Sequence, residues 1–161
     1  MFLKATEYAL RAVIYIAQKS PNEKKTGLPE IAKAIGSPQS FTAKILQQLT
    51  KKNKVVSSVR GPNGGYYLTE KARKLPAQAI LAAMGEDEIL KKCVLGLKLC
   101  SAAKPCPMHA QYKVIKEKLR MLFEEKTIQH LAEEMATDDT FINNRKKIID
   151  KKRVQKLSIN S

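Results

Sequence analysis

Apolar side chains in the first third of the chain recur every three or four residues, the spacing of an amphipathic helix. The first such run lasts until Pro21, which cannot continue a helix. A second, shorter run opens at Gly27 and Pro29 and stops at Gly36, a residue suited to a left-handed helix end. The pattern therefore predicts two helices joined by a short connection.

A third helical run begins after Ser37 and Pro38 and continues to about Lys52. Two helices joined by a turn that contains glycine are typical of a helix-turn-helix. The outward face of the third helix carries short or amide-bearing side chains that can reach base edges, and a lysine for a phosphate or a guanine. A solvated polar face would have the same composition. The candidate DNA contacts on this face are Gln39, Ser40 and Lys44.

The segment after the third helix has the composition of a β-hairpin. Residues 55–58 and 66–68 suit two strands, and the glycine-rich run 61–65 between them suits only a turn. A two-stranded ribbon after a helix-turn-helix indicates the wing of a winged helix. An arginine at the root of the turn can enter a narrow minor groove, and glycines let the backbone approach another surface closely. The candidate contacts here are Arg60, Gly61, Gly64 and Gly65.

The second half of the chain predicts a long helix, from about residue 108 to 125, with one apolar side. Its apolar residues follow a heptad spacing, which favours a partner helix over packing on its own domain. Pro76 opens a shorter helix before it, and Thr127 can cap another after it. The residues of the seam are Tyr112, Ile115, Leu119 and Leu122.

These elements predict a mainly α protein. Residues 1–74 would form a winged helix-turn-helix with a two-stranded wing, and residues 75–136 a linker helix, a cysteine segment and dimerisation helices, followed by a basic tail at 137–161. Charge follows this division: residues 1–74 hold 14 Lys and Arg against 4 Asp and Glu, and residues 145–161 hold 7 against 1. Because cations displace counterions from phosphates, this distribution points to double-stranded DNA as the partner.

Three cysteines, Cys93, Cys100 and Cys106, lie within fourteen residues, with His109 three positions after the last. The number is odd, and the first predicted helix is amphipathic, with Lys4, Glu7 and Arg11 in it, which is not the pattern of a signal peptide. We therefore expect a cytoplasmic protein with reduced thiols. Clustered thiols in that compartment bind metal or do redox chemistry more often than they form disulfides. No apolar run approaches the ~18 residues that a membrane span needs.

The cysteine segment is also compatible with functions other than metal sensing in a DNA-binding protein. Three cysteines and one histidine can also hold a structural zinc ion, or the thiols can be redox-active without a metal. A CCCH-type RNA-binding module has a similar ligand set, but its last gap is three residues and it interleaves aromatic side chains, which this segment lacks. No glycine-rich phosphate loop, paired carboxylates or Ser/His/Asp set is present, so we expect no enzyme.

Several of these segments carry a family resemblance. Residues 57–68 (SSVRGPNGGYYL), residues 8–12 (YALRA) and residues 106–109 (CPMH) resemble the Rrf2 family of bacterial regulators. The resemblance implies a winged helix followed by a long dimerisation helix, in a dimer that binds a palindromic operator. It also implies that Cys93, Cys100 and Cys106 hold an iron–sulfur cluster, for which a 2Fe-2S cluster is favoured and a 4Fe-4S cluster is the alternative.

The resemblance leaves the fourth cluster ligand open. His109 follows the third cysteine as a ligand histidine does in one branch of the family, and Glu7 occupies the position of a first-helix carboxylate that reaches the partner's cluster in another branch. Both residues are present here, and the first gap between cysteines is six rather than the usual five. We predict Glu7 of the partner subunit as the fourth ligand, because it would link the cluster directly to a DNA-binding domain.

Overall fold

The computed structural model describes residues 1–51, 55–98 and 101–137. Within these ranges it contains helices and one two-stranded antiparallel sheet, so the mainly α fold with a two-stranded wing is confirmed. Two short 3-10 turns, Pro21–Glu23 and Asp87–Leu90, connect longer elements. The elements are α1 (Lys4–Lys19), α2 (Leu28–Ile35), α3 (Gln39–Lys51), β1 (Ser57–Val59), β2 (Gly65–Tyr67), α4 (Glu70–Arg73), α5 (Gln78–Met84), α6 (His109–Glu125) and α7 (Ile128–Thr137).

The ends of the first helices follow from their terminal residues. Helix α1 stops two residues before Pro21, and α2 ends at Gly36, whose φ of 69° is left-handed. The Tyr15 hydroxyl donates a hydrogen bond of 3.0 Å to Glu30 and so connects α1 with α2. Burial, followed by this bond to a carboxylate, raises the pKa of Tyr15 to about 12, so the phenol stays protonated at neutral pH.

A single hydrophobic core joins α1, α2, α3, α5 and α7. Burying each large apolar side chain contributes roughly 1.5–3 kcal/mol. The members come from both sides of the domain boundary that we predicted at residue 74, since α5 and α7 supply part of the core. The boundary itself remains a prediction. The largest fully buried members are Ile16, Ile31, Ile35, Ile45, Leu46, Leu49, Leu68, Ile80 and Ile128.

The wing is anchored to the connection between α1 and α2 rather than standing alone. Strands β1 and β2 pair antiparallel, with Ser58 opposite Tyr66. Tyr66 also exchanges two backbone hydrogen bonds, of 2.8 and 2.9 Å, with Thr26 in the connection between α1 and α2. The first strand starts at Ser57, later than predicted, because Val55 and Val56 are buried in the core instead.

Helix α6 leaves the core at a fixed junction. The Ala77 N–H donates to the Lys126 carbonyl at 2.8 Å, and the Ile128 N–H donates to the Leu75 carbonyl at 3.0 Å. The predicted cap of the last helix is confirmed, because the Thr127 hydroxyl accepts the His130 N–H at 3.1 Å. None of the residues of α6, all of which the structure describes, is buried.

Across the ranges that the structure describes, no helix combines the length and the apolar character required to span a membrane.

Candidate nucleic-acid interface and cysteine segment

Helix α3 presents the predicted reading face to solvent. Gln39, Ser40 and Lys44 are all exposed, in the first two turns of the helix. The opposite side of α3 is held in the core by Leu46 and Leu49, so the orientation of the helix is set by burial. The structure therefore brings the three predicted contacts together on one accessible surface, and their contact with DNA remains a prediction.

Arg60 is exposed immediately after β1, at the start of the wing turn. The Gly64 N–H closes this turn by donating to the Gly61 carbonyl at 2.9 Å. A Cβ on Gly64 would lie 2.2 Å from the Val59 carbonyl oxygen, and Gly61, with a φ of 109°, has open space around it. Gly64 is thus required by the hairpin itself, in addition to any close approach to DNA.

Gly65 is constrained in the same way by the anchored wing. Its φ is 148°, and an added Cβ would lie 2.8 Å from the Thr26 carbonyl oxygen, which accepts the Tyr66 N–H. A side chain at Gly65 would therefore push the wing away from the connection between α1 and α2. Gly65 is predicted from the sequence to contact DNA, and the close approach of Thr26 is a second, internal reason for a glycine here.

A groove of about 400 Å³ separates α3 from the wing. Its walls include Gln47 and Thr50 of α3, Ser58 and Arg60 of the wing, and Gly27 at the start of α2. Thr50 and Ser58 are not among the residues predicted from the sequence. The three-residue steps from Lys44 to Gln47 and from Gln47 to Thr50 follow one side of α3, a signal that could have identified Thr50. Ser58 lies on β1, outside that pattern.

The cysteine segment connects the end of α5 with the start of α6. Cys93 is a buried thiol, 7% exposed, three residues after the 3-10 turn Asp87–Leu90. Cys106 is a half-buried thiol three residues before α6, and its carbonyl accepts the His109 N–H at 2.9 Å. Cys100 lies outside the described residues.

Large apolar side chains beside these cysteines face solvent. Val94, Leu95 and Leu97 are 42%, 51% and 52% exposed. Cys93 itself is buried, so the exposed apolar surface belongs to its sequence neighbours and not to this thiol.

The two candidates for the fourth ligand lie on different helices. Glu7 is in the first turn of α1, where Lys4 forms an ion pair with it at 2.9 Å. The hydrogen bond from Lys4 lowers the pKa of Glu7, which is therefore ionised at neutral pH. His109 is the half-buried first residue of α6.

Within residues 1–51, 55–98 and 101–137, no three His, Cys, Asp or Glu side chains lie close enough together to hold a metal ion. One predicted ligand, Cys100, is outside these ranges, and another, Glu7, is predicted to come from a partner subunit. Thiolates are the ligands that iron–sulfur clusters require, and Cys93 and Cys106 supply this donor chemistry. The ligand set Cys93, Cys100 and Cys106 with Glu7 or His109 remains a prediction.

The predicted seam of α6 is accessible. Ile115 and Leu122 are 61% and 51% exposed, whereas Tyr112 and Leu119 are half-buried. On another side of the helix, the ring of Phe123 packs edge-to-face against the ring of Phe2. An apolar stripe on a helix without buried residues is a surface suited to a partner helix.

The chain is similar to known proteins over nearly all of the helices and strands described above. Residues 2–134 match the Rrf2 family, which is described as an iron-dependent transcriptional regulator. A protein of Aquifex aeolicus named as an HTH-type transcriptional regulator is 32% identical over 133 residues, covering 81% of this chain and 90% of the relative. The HTH-type transcriptional regulator IscR of Erwinia tasmaniensis is 29% identical over 124 residues, covering 77% of this chain and 73% of that protein.

Among solved structures, that of CymR, the global cysteine regulator of B. subtilis, is similar with a TM-score of 0.67. The likeness covers 86% of this chain and 98% of CymR at 19% identity, and at that identity it shows the fold alone. The family match, by contrast, spans every element from α1 to α6 and most of α7. Its members are named as transcriptional regulators and not as enzymes. The chain belongs to the Rrf2 family of winged-helix transcriptional regulators.

Proposed function

We propose that the chain is a homodimeric regulator of the bacterial cytoplasm that binds a palindromic operator and senses redox state, nitric oxide or iron–sulfur cluster status. The observation that carries the DNA-binding part is the shared exposed surface of α3 and the wing. Helix α3 presents Gln39, Ser40 and Lys44 to solvent, and Arg60 of the wing lines a groove with Gln47 and Thr50 of the same helix. Selection of bound sequences from a random DNA pool tests it, and recovery of an inverted repeat is the expected result.

The geometry suggests a role for each part of this surface. Helix α3 would enter the major groove, where amide side chains and lysine can read base edges. Arg60 would enter the adjacent minor groove, and the DNA strand between the two would cross the groove lined by Gln47, Thr50 and Ser58. These polar side chains can donate hydrogen bonds to phosphate oxygens, which fix the register without reading the sequence.

Arg60→Ala and Gln39→Ala are expected to weaken binding to the selected operator by roughly 1–3 kcal/mol each, because each removes a contact within a groove. Fluorescence anisotropy titrations on the operator and on random DNA measure the two losses. Arg60→Lys is the matched control: it keeps the charge and loses the planar guanidinium, so we expect only partial recovery. Equal losses on both DNAs for Arg60→Ala would mean that the wing contacts phosphates only.

The homodimer rests on α6. Its exposed Ile115 and Leu122 would pack against the same residues of a second copy in a two-fold interface. A two-fold protein presents two α3 helices to two half-sites, about 34–36 Å apart for successive turns of DNA. This is the physical reason that the proposed operator is palindromic.

The sensing part of the proposal assigns an iron–sulfur cluster to Cys93, Cys100 and Cys106, with a 2Fe-2S cluster favoured. A bound cluster would supply electron transfer and reactivity toward oxidants or nitric oxide. The chain itself supplies three thiolates in one segment between α5 and α6, and a carboxylate on α1. A chain purified without oxygen is expected to be red-brown, with iron and acid-labile sulfide. A colourless chain with one zinc ion would instead support a structural zinc site.

The segment that carries the cysteines lies between the DNA-binding domain and α6, so its conformation can set the angle between them. Two conformations of the segment would then correspond to two spacings of the α3 helices in the dimer. Only one spacing matches the half-sites, and this difference provides the switch.

We predict that Glu7, supplied by the partner subunit, completes the ligand set. Glu7→Ala is expected to shift the visible spectrum of the anaerobic protein and to release iron, whereas His109→Ala leaves both unchanged. His130→Ala is the control, because His130 is an exposed histidine of α7, outside the cysteine segment. If only the His109 variant loses iron, the ligand set lies within one chain and the cross-subunit assignment is wrong.

A further inference from the structure

Glu86 stands between the DNA-binding helices and the cysteine segment. It follows the left-handed residue that ends α5 and is the N-cap of the 3-10 turn Asp87–Leu90. Its N–H donates to the Leu81 carbonyl at 2.9 Å, and its carbonyl accepts the Ile89 N–H at 3.2 Å. These hydrogen bonds link the backbone of Glu86 to α5 on one side and to the 3-10 turn on the other, a short distance along the chain before Cys93.

The side chain of Glu86 caps α1. The Leu3 N–H donates to both carboxylate oxygens, at 3.2 and 3.1 Å, across 83 positions of sequence. Leu3 is the N-cap of α1 and makes no side-chain cap of its own, while its carbonyl accepts the Thr6 and Glu7 N–H groups. A carboxylate stabilises the positive end of a helix. The Glu86 carboxylate therefore holds the N-cap of α1 from outside the helix.

The residues around this cap also contact α6. The ring of Phe2, next to Leu3, meets the ring of Phe123 edge-to-face at a centroid distance of 5.5 Å. Nearby, the Lys116 ammonium of α6 donates to the Lys91 carbonyl at 3.0 Å, just beyond the 3-10 turn. The amino-terminal residues thus touch the end of α5 through one contact and the long helix through another.

We propose that Glu86 is a positioning residue that transmits the conformation of the cysteine segment to α1 through the Leu3 N–H. This transmission rests on the proposed sensing function. The hydrogen bond between Glu86 and the Leu3 N–H exists independently of that function. When the segment around Cys93 rearranges, the 3-10 turn and Glu86 move with it. The first turn of α1, which carries Glu7, follows because its N-cap is held by the Glu86 carboxylate.

The test compares the wild-type chain with Glu86→Ala, Glu86→Gln and Leu3→Pro. Leu3→Pro removes the donor N–H and keeps the backbone angle, since the φ of Leu3 is −61° and proline fixes φ near that value. Glu88→Ala is the matched control. Glu86, Glu88 and Leu3 line one cavity of about 410 Å³ beside the 3-10 turn, but the Glu88 carboxylate pairs with Lys91.

Hydrogen exchange of the cluster-free chains measures the cap. Amides of the first turn of α1 are expected to exchange about fivefold faster in Glu86→Ala and Leu3→Pro, the change that a lost helix cap produces. The exchange rates of the α3 amides should be unchanged in all variants. In Glu86→Gln, which retains one acceptor oxygen, the first-turn amides of α1 should exchange at an intermediate rate. Wild-type exchange rates in Glu86→Ala would overturn the capping role.

Operator affinity of the cluster-loaded and cluster-free chains measures the transmission. The ratio of the two affinities is expected to approach one in Glu86→Ala and Leu3→Pro, a change of about fivefold or more, at unchanged iron content. Glu88→Ala should keep the wild-type ratio. If Glu86→Ala lowers both affinities equally, the residue is only structural and the proposal is wrong. A wild-type chain without iron contradicts the proposed function instead, and the exchange rates then still decide the capping role.

Discussion

The Cys93→Ser variant, purified without oxygen, is expected to lose most of the iron and acid-labile sulfide that the wild-type chain carries. The thiolate is the ligand of an iron–sulfur cluster, and a serine hydroxyl is not ionised at neutral pH. Serine is slightly smaller than cysteine, so it fits the buried position without a clash, and the cost in stability is that of burying its hydroxyl. The measurement combines the visible absorption spectrum with iron and sulfide assays.

The thermal unfolding midpoint of Cys93→Ser serves as the control, because a chain that fails to fold would also lose its cluster. We expect the midpoint of the cluster-free variant to match that of the cluster-free wild type within a few degrees. The same assays on Cys106→Ser examine a half-buried position at the other end of the segment. Wild-type iron content in either variant would contradict the proposed ligand set.

The second large effect is expected when the exposed apolar residues of α6 are substituted. A chain with both Ile115→Glu and Leu122→Glu should be monomeric, because two buried carboxylates would face their own copies across a two-fold interface. Its affinity for the full operator should fall by at least about 100-fold, since the second half-site is no longer bound as part of one molecule. Analytical ultracentrifugation measures the first result, and anisotropy titration measures the second.

Lys113→Glu changes the net charge by the same amount on a different side of α6, where the residue is exposed. It is expected to remain dimeric. A double variant that stays dimeric would show that the subunits associate through another surface. A monomeric double variant with wild-type operator affinity would instead separate dimerisation from DNA binding.

Much of the fold is predictable because helix ends are set by residues close to them in the sequence. Pro21 and Gly36 end α1 and α2, and Thr127 caps α7. Each of these signals acts within a few residues, so the sequence contains it in full. The apolar spacing on α3 indicated which side would be buried, and the exposed positions of Gln39 and Lys44 follow from it.

Features that depend on distant residues were not predictable in this way. Val55 and Val56 suit a strand by composition, but the core formed by the surrounding helices buries them. The steric requirement at Gly65 arises from the backbone of Thr26, 39 positions earlier in the chain, and the cap on α1 from a carboxylate even further away. The short helix α4 begins at Glu70, and the side chain of Thr69 before it accepts the Ala72 N–H as an N-cap. This signal is local, so the sequence contains it in full.

The shared core has a consequence for synthesis of the protein. Because α1 packs against α5 and α7, the winged helix cannot complete its interior until Ile128 and Ala132 have left the ribosome. Helix α6 precedes these residues and has therefore already been made. A nascent chain that stops before residue 128 should lack a stable DNA-binding domain. Every chain able to fold thus also possesses the helix through which we propose that it pairs, and truncated products should not compete for operators as monomers.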